Sequence, residues 1–132
     1  MPLKLTLKPG ERVILGGAVI KNGPAVAHLQ IENKVTLLRE KDILTEAEAS
    51  SPCKKIYLVI QLMYIGDGLT TELGQLYSDL VRDVLKAAPS TNDLISQMSA
   101  YIVESSFYPA LKVAKKLISY EEELISNATK LG

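Results

Sequence analysis

The sequence predicts an α+β protein: a small antiparallel β module of about five short strands over residues 1–44, then an α-helical bundle of three to four helices over residues 54–132. Three observations predict it. Leu3, Leu5 and Leu7 alternate with Lys4, Thr6 and Lys8, the period-two pattern of a half-buried strand. Leu69, Leu73, Leu76, Leu80 and Val84 recur at helical spacing. Every Tyr and the one Phe lie after residue 56, so the two parts differ in kind.

The elements follow in order. Leu3–Leu7 is the first strand and Pro9-Gly10 its turn. Arg12–Leu15 is a second strand broken by Gly16-Gly17, and Ala18–Ile20 a third. Lys21-Asn-Gly-Pro24 is a turn, because Asn-Gly tolerates positive φ. Val26–Ile31 and Val35–Leu38 complete a small meander or barrel. A sheet this small is marginal alone, which favours dimerisation or support from the rest of the chain. Residues 45–53 are a connector. Residues 54–65 are ambiguous: Tyr57, Val59, Ile60 and Ile65 favour a strand, while Leu58, Gln61, Leu62 and Met63 favour a helix, as does the length. Apolar residues on every side bury this segment, centrally or in an interface. The Leu69–Val84 helix ends at Pro89. Ser90-Thr-Asn-Asp93 reads as a capping box before Leu94, Ile95, Met98, Tyr101 and Ile102. A last helix runs from about Pro109, with Leu111, Ala114, Leu117, Ile118, Glu121, Leu124 and Ile125 on its stripe.

At 132 residues, with 47% apolar and 23% charged residues, the chain has an ordinary globular composition and enough length for a core. The longest nearly apolar run, Ile56–Ile65, is ten residues and too short to span a bilayer. The N-terminus lacks the apolar stretch of a signal peptide. One cysteine, Cys53, forms no internal disulfide and fits a reducing compartment. The expectation is a cytoplasmic protein with no membrane partner. The net charge of zero is divided unevenly: residues 1–44 hold seven Lys and Arg against four Asp and Glu, and the remainder holds eight against eleven. The first part is therefore the one suited to an anion.

Enzyme chemistry is not expected. The single histidine, His28, lies in a strand and reads as an exposed or partly packed residue. Cys53 has no second histidine to activate it and reads as a small buried side chain. One Cys and one His do not make a structural zinc site, and no glycine-rich phosphate loop is present, so neither metal nor cofactor is expected. Glu121-Glu-Glu123 reads as a solvated helix face, with a docking patch as the alternative. Lys4 and Lys8 share a face of the first strand, and Arg39 and Lys41 follow the last. Such cations suit a phosphate backbone, although lysines also guard sheet edges against aggregation. Without Phe, Tyr or Trp, an RNA-reading sheet here must rely on cations, main-chain groups and base edges.

Several segments carry a resemblance. Pro2-Leu-Lys-Leu-Thr-Leu-Lys-Pro-Gly-Glu-Arg12, Gly17-Ala-Val-Ile20, Ile31-Glu-Asn33 and Leu38-Arg-Glu-Lys-Asp-Ile-Leu44 closely resemble the flagellar biosynthesis repressor FlbT family. Ile56-Tyr57, Gln61-Leu-Met63 and Tyr120-Glu-Glu-Glu-Leu124 extend the match along the chain. This resemblance implies post-transcriptional control of flagellin: binding the 5′ untranslated leader of flagellin messenger RNA and promoting its decay. Lys8-Pro-Gly-Glu11 and Arg39-Glu-Lys-Asp-Ile43 are also similar, more weakly, to the carbon storage regulator family of five-stranded, dimeric RNA binders. By position that similarity places Lys8 and Arg39 on RNA. It departs from the pattern at Leu7, where a second basic residue is usual, and at Leu38, where a polar one is common.

Together these readings put Lys8 and Arg39 at the centre of an RNA surface, with Lys4, Arg12 and Lys41 on its margin. They put Tyr57, Ile60, Met63 and Tyr64 on a protein interface of the acidic helical region, serving a homodimer or higher assembly. The alternative is a chaperone-like adaptor that acts on flagellin, or another flagellar assembly protein, without binding RNA.

Overall fold

The structure, a computed structural model, describes residues 3–131, so Met1, Pro2 and Gly132 lie outside the description. Five strands come first: β1 Leu3–Leu7, β2 Arg12–Leu15, β3 Ala18–Lys21, β4 Ala27–Ile31 and β5 Leu37–Arg39. Four helices follow: α1 Pro52–Ile65, α2 Thr71–Ala87, α3 Asn92–Val103 and α4 Phe107–Leu131. The architecture is the predicted α+β one. The chain divides into two compact units, with the boundary between Ile43 and Leu44.

The strands of the first unit do not form a simple meander. β1 pairs antiparallel with β4, and a separate sheet has the order β3-β2-β5. The Pro9-Gly10 turn, with Gly10 at a φ of 71°, carries the chain out of the first sheet instead of closing a β1–β2 hairpin. The β2–β3 hairpin closes over Gly16-Gly17, with Gly16 at a φ of 59°. At Asn22-Gly23 no positive φ occurs; the turn is held by the Asn22 side chain instead. Its Nδ2 donates to the carbonyls of Lys8 (2.8 Å) and Ala25 (2.9 Å), and its Oδ1 accepts the Gly23 N–H (2.9 Å). The alternation seen in the sequence puts Leu5 and Leu7 inward beside Val13, and Leu15, Ile20, Ala27, Ile31 and Leu37 pack around them.

In the second unit, residues 52–65 form a helix. α1 is buried at Cys53, Ile56, Tyr57, Val59, Ile60, Gln61 and Met63, on several faces, because it packs against both α2 and α4. Ser51 caps it, its Oγ accepting the Lys54 N–H at 3.2 Å, and Pro52 takes the first position. The buried Gln61 side chain takes both backbone groups of Leu44: its Oε1 accepts the Leu44 N–H at 2.8 Å, and its Nε2 donates to the Leu44 carbonyl at 2.9 Å.

Three expectations are corrected here. The α2 stripe is rotated: Tyr77 and Val84 are buried, while Leu69 and Leu76 stand 48% and 47% exposed. The Ser90–Asp93 capping box does not form. Pro89–Thr91 makes a 3₁₀ turn that runs directly into α3, so Thr91 is the cap and its hydroxyl donates to the Ala88 carbonyl at 2.7 Å. Ser90 instead accepts the Tyr120 hydroxyl at 2.6 Å. The last helix begins at Phe107, before Pro109, and its inward residues are Ala110, Leu111, Val113, Ala114 and Leu117. No helix among the described residues is long and apolar enough to cross a membrane.

Candidate nucleic-acid interface

The turn after β1 and the end of β5 enclose a cleft of about 580 Å³ lined by Lys8, Pro9, Gly10, Glu11, Arg39, Glu40 and Lys41. It brings together three of the five predicted RNA-contacting residues: Lys8, Arg39 and Lys41. The pairing of β5 with β2 makes this possible, because it returns Arg39 to the vicinity of the β1–β2 turn.

Arg39 is held firmly there. Its Nη2 lies 3.0 Å from Glu11 Oε2 and 3.2 Å from Glu11 Oε1, and its Nε lies 3.3 Å from Oε2. The same Nη2 donates to the Thr6 carbonyl at 2.7 Å. Glu11 also accepts the Lys8 N–H at 2.9 Å. That backbone bond, and then Arg39, hold the Glu11 carboxyl below its ordinary range. The arginine predicted as the centre of an RNA contact is thus also a strut between β5 and the first turn. The Glu11 partnership was missed in the sequence, where a glutamate twenty-eight positions from Arg39 gives no sign of it.

The other two cations lie elsewhere. Lys4 is on the exposed face of β1, beside Thr6, His28 and Gln30. Arg12 is exposed at the start of β2, where its backbone N–H reaches Glu40 Oε1 at 3.3 Å. The cleft also carries two acids, Glu11 and Glu40, which the charge count could not place.

The predicted protein interface is revised. Tyr57, Ile60 and Met63 are 3%, 0% and 1% exposed within a single chain, so they are core residues and present no surface. An all-apolar segment has the same pattern whether its cover is its own chain or a partner. Tyr64 is half-buried, with its ring centroid 5.8 Å from that of Tyr108.

Glu121, read as part of a solvated face, reaches the start of α1. It accepts the Ser51 hydroxyl and, at 3.2 Å, the Cys53 N–H. Burial, and then Glu121, push the Cys53 thiol up to about 12, which leaves it protonated and a poor nucleophile. Among the described residues no group of three or more His, Cys, Asp and Glu side chains is placed to hold a metal ion.

The family model described as flagellar protein FlbT matches residues 3–125. The chain belongs to the FlbT family. It is 46% identical, over 94% of its length and 85% of the relative's, to the probable flagellum biosynthesis repressor protein FlbT 1 of Bradyrhizobium diazoefficiens. It is 33% identical to the flagellum biosynthesis repressor protein FlbT of Caulobacter vibrioides, over 98% of this chain and 93% of that one. A Caulobacter sp. FlbT relative is also 33% identical, over 98% of this chain and all of its own length. No solved structure matches this chain.

Proposed function

We propose that this FlbT protein is a non-catalytic, cytoplasmic regulator of flagellar synthesis that binds the 5′ untranslated leader of flagellin messenger RNA through its β unit and promotes decay of that message. The names of its relatives as flagellum biosynthesis repressors support the regulatory part. The convergence of Lys8, Arg39 and Lys41 on one cleft, in the first third of the chain, which holds the excess positive charge, is the observation that carries the RNA part. In this reading Lys8 and Lys41 take phosphates as point charges, while Arg39 fixes the cleft and presents the rest of its guanidinium edge.

The test is binding of purified protein to flagellin leader RNA across a salt series. Each phosphate neutralised on a single strand contributes about −0.7 to the slope of log affinity against log salt. Lys8→Ala with Lys41→Ala is expected to weaken binding and to flatten that slope by about 1.4. A double variant with full affinity and an unchanged slope refutes the assignment.

The same reading takes the protein to be a homodimer, now on the small size of the β unit alone. Light scattering that finds only a 14.4 kDa species refutes it. The adaptor alternative draws support from Leu69, just before α2, and Leu76 on it, both exposed. Co-purification with flagellin after RNA is removed is the outcome that would favour it.

A further inference from the structure

β1 and β4 pair so that Lys4 stands opposite Gln30 and Thr6 opposite His28. Opposed residues point to the same side of a sheet, and here the inner side is taken by Leu5 and Leu7. The outer side therefore carries Lys4, Thr6, His28 and Gln30, all exposed; with Leu5 and Leu29 they line a concavity of about 290 Å³. Lys8 is the next residue in the alternation of Lys4 and Thr6, and Lys8 also lines the cleft described above. The chain thus leads directly from this face, past the end of β1, into the cleft. Lys4 and Lys8, four residues apart, are separated by about 13 Å of extended chain.

The first 56 residues contain no Phe, Tyr or Trp. His28 is consequently the one aromatic ring available to this unit, and it stands exposed in the polar face. One side of the ring is anchored, because His28 Nδ1 lies 3.2 Å from Thr6 Oγ1. Anchoring a side chain across the strands before a ligand arrives lowers the ordering cost of binding. Single-stranded RNA is recognised by stacking its splayed bases on aromatic rings, histidine included, and by hydrogen bonds to base edges. Gln30 offers both a donor and an acceptor for such an edge.

We propose that His28 is the stacking platform for one unpaired base of a bound single-stranded RNA, with Gln30 reading that base's edge and Lys4 holding the adjoining phosphate. The inference rests on the RNA-binding reading and adds to it the residue that grips a base. A basic edge that only deters aggregation would need Lys4 but would have no use for an exposed, cross-strand-anchored ring. A double-stranded RNA would not use the ring either, because its bases are already stacked within the helix.

The test uses the full chain and a fluorescently labelled flagellin leader transcript, read by anisotropy. His28→Ala is expected to weaken binding about tenfold, the scale of one lost base–aromatic stack, while leaving the salt slope unchanged. His28→Phe, which keeps a ring and removes the Thr6 hydrogen bond, is expected to restore most of the affinity. Far-UV circular dichroism and thermal melts establish that each variant is folded, and the Phe variant suits a strand position. Wild-type affinity in His28→Ala overturns the assignment of His28 while leaving the cleft intact. A folded His28→Phe as weak as His28→Ala overturns the stacking role. No binding of leader RNA by the wild-type protein overturns both this inference and the reading beneath it.

Discussion

Gln61 offers a measurable test of how the helical unit is held together. The residue is 4% exposed, and its amide satisfies both the N–H and the carbonyl of Leu44. Gln61→Leu keeps a side chain of similar bulk and removes both bonds. A buried polar group left bare costs about 1–3 kcal/mol. Leu44 is only half-buried, so water partly recovers its groups and the low part of that range applies. Two groups at about 1–2 kcal/mol each, less about 1 kcal/mol regained from leucine's apolar burial, leave a net loss of about 2 kcal/mol. For a unit of this size that lowers Tm by roughly 8–16 °C, read by far-UV circular dichroism, which the helices dominate. Gln61→Glu adds a signature that packing alone does not give. Protonated, the carboxyl offers a donor and an acceptor, as the amide does. Ionised, it loses the donor and buries a charge, so its folded-state pKa rises above the unfolded value of about 4.3. A group with a raised folded pKa contributes fully below the unfolded value and loses its contribution as pH rises through the folded one. The deficit of Gln61→Glu against wild type should therefore grow from pH 4 to pH 7. A Gln61→Leu protein within about 0.5 kcal/mol of wild type, together with a pH-independent Gln61→Glu, would refute the reasoning.

The remaining predictions are shorter. Leu117→Ala, at a fully buried site, should cost about 2–5 kcal/mol in a denaturant titration, whereas Leu80→Ala, half-buried on the rotated α2 stripe, should cost only about 1 kcal/mol. Glu11 has a depressed carboxyl pKa, so its contribution to the β unit is present above its ordinary value of 4.5 and lost as pH falls through the lowered one; Glu11→Gln should abolish this acid-side loss, followed through the amide NMR signals of β1 and β5. Cys53, buried and with its thiol raised to about 12, should resist iodoacetamide at neutral pH in the folded protein and react once denatured; rapid native labelling would contradict its placement.

Much of the fold was legible because it rests on local patterns. The Leu3, Leu5, Leu7 alternation reports which side of β1 is wet, and the helical spacing after residue 69 reports that helices form there, although it missed the buried side of α2. The sheet order was not legible, since the pairing of β1 with β4 depends on where the chain goes after Gly10. The cap of α3 was misread because the S-x-x-D pattern is also compatible with a 3₁₀ turn. At the candidate site, the short Lys8–Glu11 and Arg39–Ile43 motifs brought Lys8, Arg39 and Lys41 to one cleft. The Arg39–Glu11 pair, the Glu121 cap and the Thr6–His28 contact join positions 22 to 70 residues apart, and only the tertiary structure shows them. Tyr57, Ile60 and Met63 were misplaced for a different reason: hydrophobicity records burial, not whose surface does the burying.

The acids of the cleft sharpen what its cations can do. Glu11 neutralises much of Arg39, and Glu40 lies near Lys41 in the same lining, so the cleft is a patterned surface and not a uniformly basic one. A phosphate that settles against Lys8 or Lys41 gains attraction, while one displaced toward either carboxylate is repelled. Opposed charges of this kind penalise wrong registers as well as rewarding the right one. Such a surface suits selection of one backbone path over others better than non-specific adhesion. The balanced net charge of the chain agrees with this, because long-range attraction for RNA in general requires a much larger excess of positive charge. Selectivity in this reading arises from short-range geometry: the phosphate path set by Lys4, Lys8 and Lys41, the acids that bound it, and the His28 face beside it.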